Sequence, residues 1–194
     1  MLILGIDPGA HGAFVVYDSE TREIISHKSM PIWYQAVGKT KRARVDAIEL
    51  AQMMQTYELM GVGMAVLEAV GGRGKQPGSA GFVFGYGVGM VYMACVYSKI
   101  PIETIPPHTW KAMLRVPGKS KADDSAIIQR ANELFPDSRH IFKGPKGGLL
   151  VDVAEAAMLA RFGADHILKS GYVTIDAAHE LAYRTRVQRA DTGA

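Results

Sequence analysis

Leu2-Ile3-Leu4-Gly5-Ile6 is apolar at every position and stops at Asp7-Pro8-Gly9. A strand with no polar face belongs in the covered middle of a sheet, and the Asp-Pro-Gly turn ends it there. Two more strands are expected at Ala13–Tyr17 and Glu23–His27, separated by the polar turn Asp18–Arg22. Lys39–Arg44 reads as a basic linker, and Asp46 with Glu49 forms a capping-box pattern that opens a helix to about Met60. Val62–Glu68 and Ile100–Ile105 read as the fourth and fifth strands. Between them Ser79 caps an apolar helix reaching about Ser98. Helices are then expected from Pro106-Pro107 to Leu114, from Ser120 to Phe135 and from Val151 to about Leu168, with a loop over Arg139–Gly148. This order predicts an α/β domain with a mixed five-stranded sheet flanked by helices over residues 1–168, and a C-terminal extension of unassigned role over 169–194.

With 194 residues, 48% of them hydrophobic, the chain is long enough for one domain with a full core. A net charge of +3 permits a nucleic-acid partner without requiring one. One cysteine, Cys95, excludes an intramolecular disulfide and disfavours a zinc site; with no secretion signal at the N-terminus, a cytoplasmic location is expected. The apolar stretch Gly81–Tyr97 is slightly short for a membrane span and reads as a buried helix, so no membrane partner is expected.

Four acids carry the chemistry. Asp7 and Glu68 each close an apolar strand, and ligand sites in open α/β sheets gather beyond such strand ends. Asp152 and Glu155, three apart on a helix, share one face and interrupt an apolar stripe. Each acid alone has an ordinary reading, as a turn residue or a solvated helix position. Together, carboxylates facing a core need positive compensation, and hard oxygen donors suit Mg²⁺, with Mn²⁺ able to substitute. Two such ions about 4 Å apart activate water and stabilise the leaving oxygen of a phosphodiester.

Gly5-Ile6-Asp7-Pro8-Gly9 with Gly12, Val66-Leu67-Glu68, Pro106-Pro107-His108-Thr109-Trp110-Lys111 with Gly118-Lys119-Ser120-Lys121, and Asp152-Val153-Ala154-Glu155-Ala156 follow one another in the order of the motifs of RuvC-type Holliday junction resolvases, members of the RNase H-like superfamily, which the chain resembles over about 165 residues. The resemblance implies that Asp7, Glu68, Asp152 and Glu155 are the catalytic metal ligands of a Mg²⁺-dependent DNA endonuclease. It further implies a homodimer that cuts four-way junctions symmetrically, leaving 5′-phosphate and 3′-hydroxyl ends, with Lys121 or Lys119 offsetting charge in the transition state. Two positions depart from the family pattern. Glu155 replaces the usual aspartate, and the aromatic wedge expected three residues after Glu68 falls on Gly71, leaving Phe82, Phe84 or Tyr86 to take its place.

Arg73, Lys75, Lys111, Lys119 and Lys121, and more weakly Lys143 and Lys146, form the expected DNA track together with Phe82 and Phe84; ordinary solvated lysines are the alternative. His11, His108 and His140 read as polar loop residues. Trp33 and Tyr34 either stack on a base or pack over the helix from Asp46. Gly81, Gly85 and Gly89 align on one helix stripe, expected to meet a core helix of the same chain or a partner subunit. A less selective nuclease acting on flaps, duplexes or hybrids is the competing reading. An actin-like ATPase, suggested by the first turn, needs a second half for which the chain is too short. A helicase or motor partner is left open by the sequence.

Overall fold

The structure, a computed structural model, describes residues 1–69, 78–116 and 123–170. Gly71, Arg73, Lys75, Lys119, Lys121, the cap expected at Ser120 and all of the expected extension beyond Ser170 lie outside the described residues.

The expected sheet is present. Strands β1 (Leu2–Asp7), β2 (Ala13–Asp18), β3 (Ile24–Ser29), β6 (Val62–Glu68) and β7 (Ile102–Ile105) are ordered β3-β2-β1-β6-β7, antiparallel on the β3 side and parallel from β1 to β7. The central place of β1 explains its unbroken apolarity: Ile3, Leu4 and Ile6 are all fully buried. Alternation then divides the sheet into two cores. Ile3, Val15, Tyr17, Met64 and Val66 face one core, while Leu4, Ile6, Phe14, Val16 and Leu67 face the other.

The first core is covered by α3 (Pro107–Met113), α4 (Asp123–Leu134) and α5 (Val151–Phe162), the second by α1 (Ala47–Leu59) and α2 (Gly78–Tyr97). Asp46 caps α1, accepting from the Ile48 and Glu49 amides at 3.0 and 3.1 Å. Its own N–H bonds Pro31 rather than Glu49, so only half of the anticipated capping box forms. The basic linker expected at Lys39–Arg44 is instead a strand. β4 (Ile32–Val37) and β5 (Thr40–Val45) form a separate two-stranded antiparallel sheet. Its two-residue turn begins at Gly38 with φ +58°, the position that a type II′ hairpin reserves for glycine.

Three further expectations are corrected. α2 begins at Gly78, so Ser79 lies inside its first turn rather than at its cap. Arg139–Phe142, expected as loop, belong to a 3-10 segment over Pro136–Phe142; a tight turn closed by a Lys143–Leu149 bridge follows. Nor is α2 the buried helix expected. Gly87, Val91 and Cys95 line its inner side, whereas Phe82, Tyr86, Met93 and Tyr97 are exposed. By length and composition α2 is the one described helix apolar enough to cross a membrane. Yet that inner line is seated in the second core, and burial pushes the Cys95 thiol up to about 12.

Candidate active site

The strand register places Asp7 beside Glu68. β1 and β6 run parallel with Ile6 opposite Leu67, so the next residue on each strand extends the same row at the carboxyl edge of the sheet. Parity aims both carboxylates at the α5 face, because Asp7 alternates in step with Ile3 and Glu68 with Val66.

α5 brings the other pair. Its backbone lies so close to β1 that a Cβ on Gly5 would sit 1.9 Å from the Ala156 carbonyl oxygen and 2.6 Å from the Ala160 nitrogen. From that contact, two strand residues lead to Asp7, a rise of about 6.6 Å, and four helix residues lead back to Asp152, about 6 Å. The near-equal travel puts Asp152 against Asp7, close enough for its carboxyl to help raise that of Asp7. Glu155, one turn along the same face, adds its charge to the group.

Asp7 is only 9% exposed. Burial and then the charges of Glu155, Asp152 and Glu68 push its carboxyl up to about 9. The structure thus brings together all four acids singled out in the sequence.

Two residues of α3 brace the cluster. Trp110, fully buried in the first core, donates its indole N–H to Glu68 Oε1 at 3.1 Å. Lys111, expected on the DNA track, places its ammonium 2.5 Å from Glu155 Oε1 and 5.0 Å from the Trp110 ring centroid. The bracing role of Trp110 is a feature that the sequence reading missed. Its only signal was membership of the Pro-Pro-His-Thr-Trp-Lys segment. With Glu68 and Glu155 so engaged, no three His, Cys, Asp or Glu side chains stand in ligand geometry for a metal ion among the described residues. The donor chemistry still suits a hard cation: burial and then the neighbouring carboxylates push the Asp7 carboxyl up, and a divalent ion offsets both effects.

The remaining residues expected on the DNA track are dispersed. Lys143 and Lys146 are exposed around the turn before α5. Phe82 is 73% exposed and stacks on Tyr86 with ring centroids 6.2 Å apart, while Phe84 lies 3.4 Å from where a Gly9 Cβ would stand. Trp33 and Tyr34 are exposed on β4, at 48% and 61%. Nothing lies within 4 Å of a Cβ built on Gly81, Gly85 or Gly89, so among the described residues no core helix of this chain meets that stripe.

No protein-family model matches the sequence, and no curated protein does. Solved structures do match the fold. A Thermus thermophilus RuvC in complex with a Holliday junction substrate superposes with a TM-score of 0.59 at 13% identity, covering 87% of this chain and 96% of that one. A second Thermus thermophilus RuvC structure gives 0.50 at 15% identity, covering 84% and 95%. The chain therefore has the RNase H-like fold in the form that RuvC displays.

Proposed function

We propose that this chain is a divalent-metal-dependent endonuclease that cuts four-way or otherwise branched DNA, and that it acts as a homodimer. One observation carries the reading: four carboxylates converge at the carboxyl edge of β1 and β6, in a fold shared with a protein solved on a Holliday junction. Asp7, Glu68, Asp152 and Glu155 would hold Mg²⁺, with Mn²⁺ able to substitute. When bound, the metal supplies an activated water and a counter-charge for the departing 3′ oxygen of the cut phosphodiester.

The chain's own residues position these groups. Trp110 fixes the rotamer of Glu68, and Lys111 holds Glu155 until a metal competes for it. Lys121, Lys119, Arg73 and Lys75 are proposed contacts to the DNA backbone, with Lys143 and Lys146 extending the track.

The dimer is assigned to the outer stripe of α2, where Gly81, Gly85, Gly89, Met93 and Tyr97 recur every four residues. Small residues allow a second copy of the helix to approach closely, and paired sites match the two-fold symmetry of a four-way junction. A bilayer is the poorer occupant, because a membrane-spanning α2 would have to pull Val91 and Cys95 out of the second core.

The test is cleavage of a labelled four-way junction in Mg²⁺, with flap, duplex and RNA–DNA hybrid substrates alongside. Wild-type protein should cut the junction preferentially, and Asp7→Asn should reduce cutting by at least about 100-fold, as expected for loss of several kcal/mol of transition-state stabilisation. No cutting by wild type, or full cutting by Asp7→Asn, overturns the proposal. Equal cutting of all substrates replaces it with a less selective nuclease.

A further inference from the structure

A cleft of about 830 Å³ lies between the β4–β5 hairpin, the turn after Asp7 and α2. Its volume falls in the range of a small-ligand pocket. Trp33 and Gln35 on β4 stand opposite Arg44 and Arg42 on β5, and all four line the cleft. The far wall carries the Phe82–Tyr86 stack.

The charge is one-sided. Among the described residues no Asp or Glu lines the cleft, and residues 32–45 contain Lys39, Lys41, Arg42 and Arg44 with no acid. Arg44 is tied to Gln35 by a 2.9 Å hydrogen bond, whereas Arg42 is exposed and makes no hydrogen bond or ion pair among the described residues. Trp33 is 48% exposed, so its ring is open to a ligand in the cleft.

Aromatic rings on both walls, with a free guanidinium at the rim, recognise a polyanion that also presents flat apolar faces. Single-stranded DNA meets that description, while duplex DNA does not, because its bases are already stacked on one another. Placement adds direction. Ala10, on the cleft wall, is three residues from Asp7, at most about 11 Å of chain.

We propose that this cleft receives unpaired nucleobases of a DNA strand within about three nucleotides of the carboxylates, stacking them on Trp33 and the Phe82–Tyr86 pair while Arg42 holds the backbone. The proposal rests on the DNA-processing reading above and gives that site a single-stranded element of its substrate.

The probe is fluorescein-labelled (dT)8 without metal, followed by anisotropy and by tryptophan emission. Wild-type binding should quench Trp33, since the other tryptophan, Trp110, is buried. Trp33→Phe should bind within a few-fold of wild type but lose the quench, and Trp33→Ala should weaken binding about tenfold. Arg42→Ala should weaken binding and reduce the slope of log Kd against log salt by about 0.7. Tyr34→Ala, on the opposite hairpin face, should change neither. Circular dichroism checks folding, and Trp33→Phe keeps the test valid if the alanine variant unfolds.

No (dT)8 binding, unchanged affinity in both Trp33→Ala and Arg42→Ala, or tighter binding of duplex with Trp33 unmoved overturns the proposal. The two readings fail separately. A protein that binds (dT)8 through Trp33 yet cuts no DNA removes the nuclease and keeps the cleft; junction cutting with unaltered (dT)8 affinity in the variants does the reverse.

Discussion

Asp7 has a carboxyl whose proton is held by burial and by three neighbouring acids, and this makes the site sensitive to pH in a definite direction. In the unfolded chain Asp7 ionises near its ordinary value of 3.8, whereas in the metal-free fold it keeps its proton to about 9. Across that interval the folded state binds more protons, so its stability falls as pH rises. Asp7→Asn removes this dependence. In thermal melts with chelator at pH 8 the variant should be more stable than wild type by about 2–4 kcal/mol, or roughly 5–12 °C, with the gap closing toward pH 4. Mg²⁺ should raise the melting temperature of wild type and leave the variant unmoved. A variant no more stable than wild type at pH 8 would show that Asp7 is ionised without metal. The acids themselves were legible in the sequence because each stands where an apolar pattern breaks. The braces were not: Trp110 reaches Glu68 across 42 positions of sequence, and only packing brings those residues together.

At the scale of elements, the seat of α5 on β1 decides the geometry of the site. Gly5→Ala should cost about 3 kcal/mol or more in chemical denaturation, because the new methyl meets helix backbone rather than a side chain able to turn away. A loss below about 1 kcal/mol would mean that the helix shifts freely and does not fix Asp152. The five main strands were readable from apolar runs closed by turns, and parity settles which face each acid takes. The β4–β5 hairpin was hidden by its own charge. Four basic side chains and two exposed aromatics on a ribbon that meets the second core through Ile32 and Val45 leave little apolar alternation to detect, although Gly38 in a two-residue turn was a usable signal. α2 misled for the opposite reason: a helix apolar on all sides carries no periodicity that separates its buried line from its open one.

For the molecule as a whole, the open side of α2 sets the expected assembly. Gly85→Arg, placed in the middle of the glycine stripe and away from the second core, should leave the melting temperature of a monomer nearly unchanged while converting a dimer to monomers in sedimentation equilibrium. Paired incision of a four-way junction should then give way to single nicks. A wild-type protein already monomeric at tens of micromolar, or a variant still dimeric, removes α2 as the interface.

The acids of the cluster are far apart along the chain, with Glu155 lying 148 positions after Asp7. At ordinary synthesis rates that interval takes roughly 10–30 s, and no shorter piece of the chain holds both walls of the site. If the four acids act as proposed, fragments released by truncation or early proteolysis are chemically silent, and the capacity to act on a phosphodiester appears only once α5 has docked. Under that proposal, completeness of the fold acts as a safety interlock on the chemistry.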